Sequence, residues 1–388
     1  MRGLAAAGRL IRDGWLVLGL ALALCVLVEG GFRLAARLGG GGGPEPDWRV
    51  AADAYPDRSW VGEYYREFRS SDAVRWRPYV YWRRGPYHGR FINVDTAGVR
   101  RTIAPDPATA SRTIFMFGGS ALWGTGARDG YTIPSLLARE LEGRGIRARV
   151  VNFGESGYVS TQELIALLLR LREGDRPDLV ILYDGANDTY SAYQQHLAGL
   201  PQNEFNRVKE FNLSSDLPRL RATALHELAA HAATVRALRR LVGQSRPASA
   251  GPAPPAEVLR AYAGNVELVR ALGRQYGFAS LAYWQPTVFD KATLTGYETA
   301  ERGKARAFEP FFRETYAALR RSPLARGAEP LVRDLGATVS SVREPVFVDW
   351  VHLGERGNAL VARRIADDVA GALGTRPTSG STSKGNRR

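Results

Sequence analysis

From residue 113 onward the chain alternates between two hydrophobic patterns. Short apolar runs rich in β-branched and aromatic residues are separated by stretches with the three- and four-residue spacing of helices. The runs predict strands at 113–117, 149–153, 179–183 and 279–284, with a further strand at either 337–342 or 346–348. Helical spacing falls at about 131–142, where Leu136, Leu137 and Leu141 share a face, and at about 161–172, 257–275, 303–320 and 355–373. Strands apolar at nearly every position are buried on both faces, and strand–helix alternation produces parallel neighbours. The predicted body, residues 112–373, is therefore an α/β fold of three layers, α/β/α, around a central parallel sheet. The alternation stops over 190–256, where polar loop, an amphipathic helical stretch near 219–242 and a Pro/Ala/Ser segment at 245–256 predict a helical insertion or lid.

The N-terminal part follows other patterns. An uncharged Leu/Ala/Val run over 14–28 follows Arg2, Arg9 and Arg12 and is closed by Glu29, Arg33 and Arg37. Fifteen residues are short against the roughly 17 to 25 that a bilayer needs, but Phe32, Leu34 and snorkelling arginines extend the segment to residue 38. Residues 1–38 are read as an uncleaved, single-pass membrane anchor with the rest of the chain extracytoplasmic; a cleaved signal peptide and secretion is the alternative. Cys25, the single cysteine, lies inside this run, so no intrachain disulfide can form and packing is its expected role. Residues 39–47, with GGGGGPEP, read as a linker. Residues 48–111, rich in Tyr, Trp and Arg, with strand-like pieces at 79–82 and 91–94, form an extension expected to pack on the main domain, and 374–388 read as a disordered tail.

Composition changes this picture little. The net charge of +14 comes almost wholly from arginine, since Lys209, Lys291, Lys304 and Lys384 are the four lysines. The arginines are scattered along helical segments without a stripe of interleaved aromatics, so nucleic acid is not an expected partner.

Chemistry enters at the strand ends. In an open parallel sheet, ligands bind beyond the carboxyl ends of the strands. The first strand ends in Gly118-Gly119-Ser120, the second in Asn152-Phe153-Gly154, the third in Gly185-Ala186-Asn187-Asp188, and the last in Asp349-Trp350-Val351-His352. Two glycines allow a sharp turn before Ser120, just ahead of a helix whose dipole favours negative charge. A serine hydroxyl needs a base to become nucleophilic. His352 can be that base, with Asp349 three residues earlier to hold its second ring nitrogen. Backbone N–H groups of Ser120 and Gly154 and the Asn187 amide are the candidate oxyanion donors.

These residues resemble the SGNH or GDSL hydrolase family, whose blocks carry serine, glycine, asparagine and an Asp-x-x-His pair in this order. The resemblance spans about 112–373 and implies a flavodoxin-like sheet, Ser120 as nucleophile, Gly154 and Asn187 as oxyanion donors, and Asp349 with His352 completing the triad. The first block departs from the pattern, with Gly119 in place of the eponymous aspartate. Residues 93–100 (NVDTAGVR) also look like segments that precede the first block in bacterial membrane-anchored relatives. The implied function is a serine esterase removing acyl, in particular acetyl, groups from a carbohydrate or cell-envelope polymer, or an O-acyltransferase to a sugar hydroxyl. A membrane-tethered binding factor without turnover is the reading from another class. No cofactor or metal is expected: His88, His196, His226 and His231 lack neighbours at ligand spacing. Asp184 stands open between a substrate contact and a structural one. Trp123, Tyr158, Tyr190 and Trp350 are candidates for an aromatic rim, with packing against the sheet as the plainer expectation.

Overall fold

The computed structural model describes residues 2–38, 46–104, 109–214, 216, 218–222 and 251–374. The chain forms two compact units, Pro46–Glu204 with Ala250–Arg388, and Met1–Glu45 with Phe205–Ser249.

The larger unit holds helix α2 (Val61–Ser70), the hairpin β1 (Val74–Arg77) and β2 (Tyr81–Arg84), and the short pair β3 (Tyr87–His88) and β4 (Asn93–Val94). The main sheet follows: β5 (Arg112–Gly118), β6 (Ala148–Asn152), β7 (Leu179–Asp184), β8 (Ala279–Trp284) and β9 (Arg333–Asp334). All neighbours are parallel, in the order β6-β5-β7-β8-β9. With β5 inside and β6 outside, the order reverses beside β5, and that reversal places a crevice at the carboxyl end of β5. The helices are α3 (Ser120–Trp123), α4 (Ile133–Glu142), α5 (Ser160–Arg172), α6 (Ala186–Gln195), then α8 (Pro255–Tyr276), α9 (Gly296–Lys304), α10 (Glu309–Arg321), α11 (Ala337–Ser340) and α12 (Glu355–Gly374). Every residue of β7 is buried, as are Ile114 to Gly118 of β5, which is why these strands read as unbroken apolar runs.

The last strand is where the expectation fails. Residues 337–340 form one helical turn, and the fifth strand is the two-residue β9 before them. Val346, Phe347 and Val348 are fully buried yet join no ladder. The Val346 and Phe347 N–H groups donate to Glu298 Oε1 at 3.0 and 3.2 Å, and Val348 N–H donates to the His352 carbonyl at 2.9 Å. A carboxylate thus does what a neighbouring strand would do, and the segment closes on itself as a loop. The single helical stretch expected near 303–320 is two helices, α9 and α10.

The extension has its own aromatic core, with Tyr55, Trp60, Tyr64, Tyr65 and Phe91 buried together with Trp123 and Val348 of the sheet region. Tyr55 and Tyr64 hydroxyls donate to the Gly126 and Gly124 carbonyls at 2.8 and 3.2 Å. Trp123 is clamped between the Arg84 and Arg100 guanidiniums, 4.0 and 4.2 Å from its ring.

In the smaller unit, α1 (Arg2–Leu38) is one continuous helix whose span Gly14–Ala35 is long and apolar enough to cross a membrane, and Cys25 lies exposed on it. Over the predicted insertion, α6 runs on to Gln195 and α7 (Glu204–Ser214) follows, so its first part is more helical than the expected polar loop. The helix predicted near 219–242 lies outside the described residues beyond 222, as do His226, His231 and the tail.

Candidate active site

Ser120 comes after β5 and the intervening Gly119, and opens α3, a single turn that ends at Gly124. One turn carries little dipole, so the favourable field expected behind Ser120 reduces to its individual N–H groups. The loop after Val348 turns back through Asp349 and brings His352 across the end of β5. His352 Nε2 stands 2.7 Å from Ser120 Oγ, and its Nδ1 stands 2.7 Å from Asp349 Oδ2. The carboxylate at Nδ1 fixes the proton there, leaving Nε2 to accept from the serine hydroxyl. Asp349 Oδ1 accepts the backbone N–H of Val351 at 3.0 Å and of His352 at 2.8 Å. Burial pushes the Asp349 carboxyl up, but the His352 ring, then Arg49 and the Val351 amide, outweigh it and hold it at about 2.

Asn187 opens α6 after β7. Its Nδ2 donates to the Tyr158 carbonyl at 2.8 Å, and among the described residues the second N–H of the amide has no partner. The amide lies over Gly119: a Cβ there would sit 2.2 Å from Asn187 Nδ2. The missing Cβ at Gly119 leaves the room that the Asn187 amide occupies. Gly154 does not stand where the sequence reading put it. Its N–H donates to Asn152 Oδ1 at 3.0 Å, and a Cβ on it would meet Trp123 N at 2.5 Å. Its smallness serves the close passage of this loop over α3, and its proton is already used. Among the described residues Gly157, on the same loop at φ +76°, keeps an N–H with no hydrogen-bond partner.

The sequence from Met116 to Leu360 matches the GDSL-like lipase/acylhydrolase family. The chain belongs to that family. Solved structures similar to this GDSL-like chain include an acetyl xylan esterase, AlAXEase, at 14% identity and a TM-score of 0.34, covering 66% of this chain and 99% of that one. A lipolytic protein of the G-D-S-L family from Veillonella parvula is 14% identical with a TM-score of 0.36, over 66% and 97% of the two chains. TesA is 18% identical with a TM-score of 0.34, over 68% and 98%. No curated protein matches the sequence.

The other candidates fall to structural roles. Trp123 is fully buried between its two arginines. The Tyr158 hydroxyl donates to the Trp82 carbonyl. Tyr190 and Trp350 pack with each other and with Phe308, 5.2 and 4.8 Å from its ring. Asp184 is buried beside Glu163, and burial above all pushes both carboxyls well above the usual carboxylate range. His196 caps α6 and its Nδ1 bonds the Gly251 carbonyl at 2.8 Å, while His88 is exposed. Two cavities of about 520 and 580 Å³ flank β6 and the β1–β2 hairpin, and neither is lined by Ser120, Asn187 or His352. No group of side chains able to hold a metal occurs among the described residues.

Two features near the Ser120–His352–Asp349 chain carried no usable signal in the sequence. Arg49 comes from the extension, and Glu298, which shapes the Asp349 loop, is one acid among many on a helix. Glu298 is fully buried and paired with Lys291 Nζ at 2.5 Å.

Proposed function

We propose that this family member is a serine esterase that works through an acyl-enzyme, with Ser120 as nucleophile and His352 and Asp349 as its activating pair. The observation that carries this is the unbroken relay from Ser120 Oγ through the imidazole to Asp349, with both links at 2.7 Å. In the first step the Ser120 hydroxyl gives its proton to His352 Nε2 as Oγ attacks the ester carbonyl. The oxyanion is met by the Ser120 N–H, the free N–H of Asn187 and, in place of Gly154, the unpartnered N–H of Gly157. Collapse expels the alcohol, which takes the proton from His352; water, activated through the same ring, then frees the acid. Ser120, Asn187 and His352 are part-exposed, which suits a small acyl group such as acetyl on a bulky carbohydrate or cell-envelope polymer. The apolar helix α1 would hold the enzyme in a membrane with the larger unit extracytoplasmic.

A serine-directed fluorophosphonate should label the purified wild-type protein and leave Ser120→Ala unlabelled. With an acetylated sugar as donor and a second sugar as acceptor, free acetate should exceed transferred acetyl. An unlabelled wild type would leave a tethered binding factor; dominant transfer would make the chain an acyltransferase.

A further inference from the structure

We propose that Arg49, outside the family-matched segment, is a positioning residue for the triad, holding the Asp349 carboxylate against His352 and setting the charge that the imidazole meets. The proposal rests on the triad reading above.

Arg49 lies only a few residues after the linker, in a 3-10 turn over Trp48–Ala51. Its side chain is 9% exposed and cannot swing away, because the guanidinium packs on Tyr65, Trp48 and Phe68 at 4.8 to 5.0 Å from the rings. Nε and Nη2 are held by Asp47 Oδ1 and Oδ2 at 2.9 and 2.8 Å. That grip aims Nη1 at Asp349 Oδ2, 3.7 Å away, the same oxygen that faces His352 Nδ1 at 2.7 Å. At 3.7 Å the cation does not take the lone pair that the imidazole uses, yet it is close enough to act by charge. With Oδ1 occupied by two backbone N–H groups, Asp349 is constrained on every side.

The other charged or titratable groups around Asp349 are Asp47, Tyr65 and Tyr297, whose hydroxyl donates to the Val348 carbonyl at 2.8 Å. Both tyrosines are pushed up and stay neutral at ordinary pH, largely by burial. Arg49 and Asp47 are therefore the charges that tune the dyad from outside it. The guanidinium lies beside the same Asp349 oxygen as the imidazole, so its charge is part of the field that the ring meets.

The test uses the full-length protein with p-nitrophenyl acetate, counting active sites by fluorophosphonate titration. Arg49→Met should lower kcat per titrated site roughly tenfold with little change in KM, since small misplacements of a catalytic group are costly. It should also move the acid limb of kcat/KM up by about one pH unit, because the imidazolium gains stability when the cation leaves. Arg49→Lys should return the limb toward its original place. Asp47→Asn, which leaves Arg49 uncompensated, should move the limb the other way, and it keeps the idea testable if the Met variant does not fold. Variants that lose only titratable sites, with an unmoved limb, would overturn the proposal and leave Arg49 a packing residue. Activity that survives Ser120→Ala would instead remove the triad reading, and the two failures are thereby separable.

Discussion

Asp349 has both carboxylate oxygens engaged, and its chemistry follows from that confinement. Asparagine at this position keeps the shape but presents an amide to His352 Nδ1, so the tautomer with its proton on Nε2 becomes favoured. Asp349→Asn should lower kcat by about 10⁴ with the fold intact by circular dichroism. The same residue predicts an acid dependence of stability. Its carboxyl sits at about 2 in the fold against 3.8 when unperturbed, so its contribution is whole above about pH 4 and is lost as pH falls toward 2. The loss is on the order of 2 kcal/mol and should be missing from acid titrations of the Asn variant. Gly119 makes a sharper point. Alanine there places its Cβ on the Asn187 amide, so Gly119→Ala should cost about 10² to 10³ in kcat, the cost of one oxyanion donor, with KM little altered. Ser120 and Asn187 were singled out because each follows a strand end by one to three residues, and Asp349 with His352 because an Asp-x-x-His pair is distinctive even though the apolar triplet before it is a loop. The Gly154 assignment went astray because two glycines share that loop, and which N–H is free depends on the Asn152 side chain.

At the scale of elements, the segment 346–352 is governed by α9. Glu298 accepts two backbone N–H groups of the loop and neutralises the buried Lys291. Glu298→Ala should destabilise the protein by about 3 to 5 kcal/mol in urea unfolding, since it strands a buried ammonium and two amides at once. Helix α5 meets the end of β7 through Glu163 and Asp184, both raised by burial above all, and Glu163 further by the neighbouring Asp184 carboxylate. Raised acids favour the protonated fold, so their contribution is fullest at low pH and declines as pH climbs through the raised values. Glu163→Gln should therefore raise Tm more at about pH 8 than at about pH 5. Periodicity located β5 to β8 to within a residue or two, because burial on both faces writes itself into consecutive side chains. It misplaced the fifth strand because a buried apolar triplet looks the same whether its amides meet a strand or a carboxylate.

For the whole molecule, α1 predicts that alkaline carbonate leaves the full-length protein with the membrane pellet, whereas a chain begun at Pro46 should be recovered in the supernatant; full-length protein released by carbonate would count against anchoring. The sequence by itself determined the three-layer parallel fold, the order of the chemical blocks and the apolar N-terminal helix, because each is written in local spacing or in neighbours a few residues apart. Only the tertiary structure decided that among the described residues Gly157 rather than Gly154 has a free amide, that 346–348 is a loop, and that Arg49 reaches Asp349. Those outcomes depend on which of several competent partners a group meets across long stretches of chain, and spacing along the chain does not encode that choice.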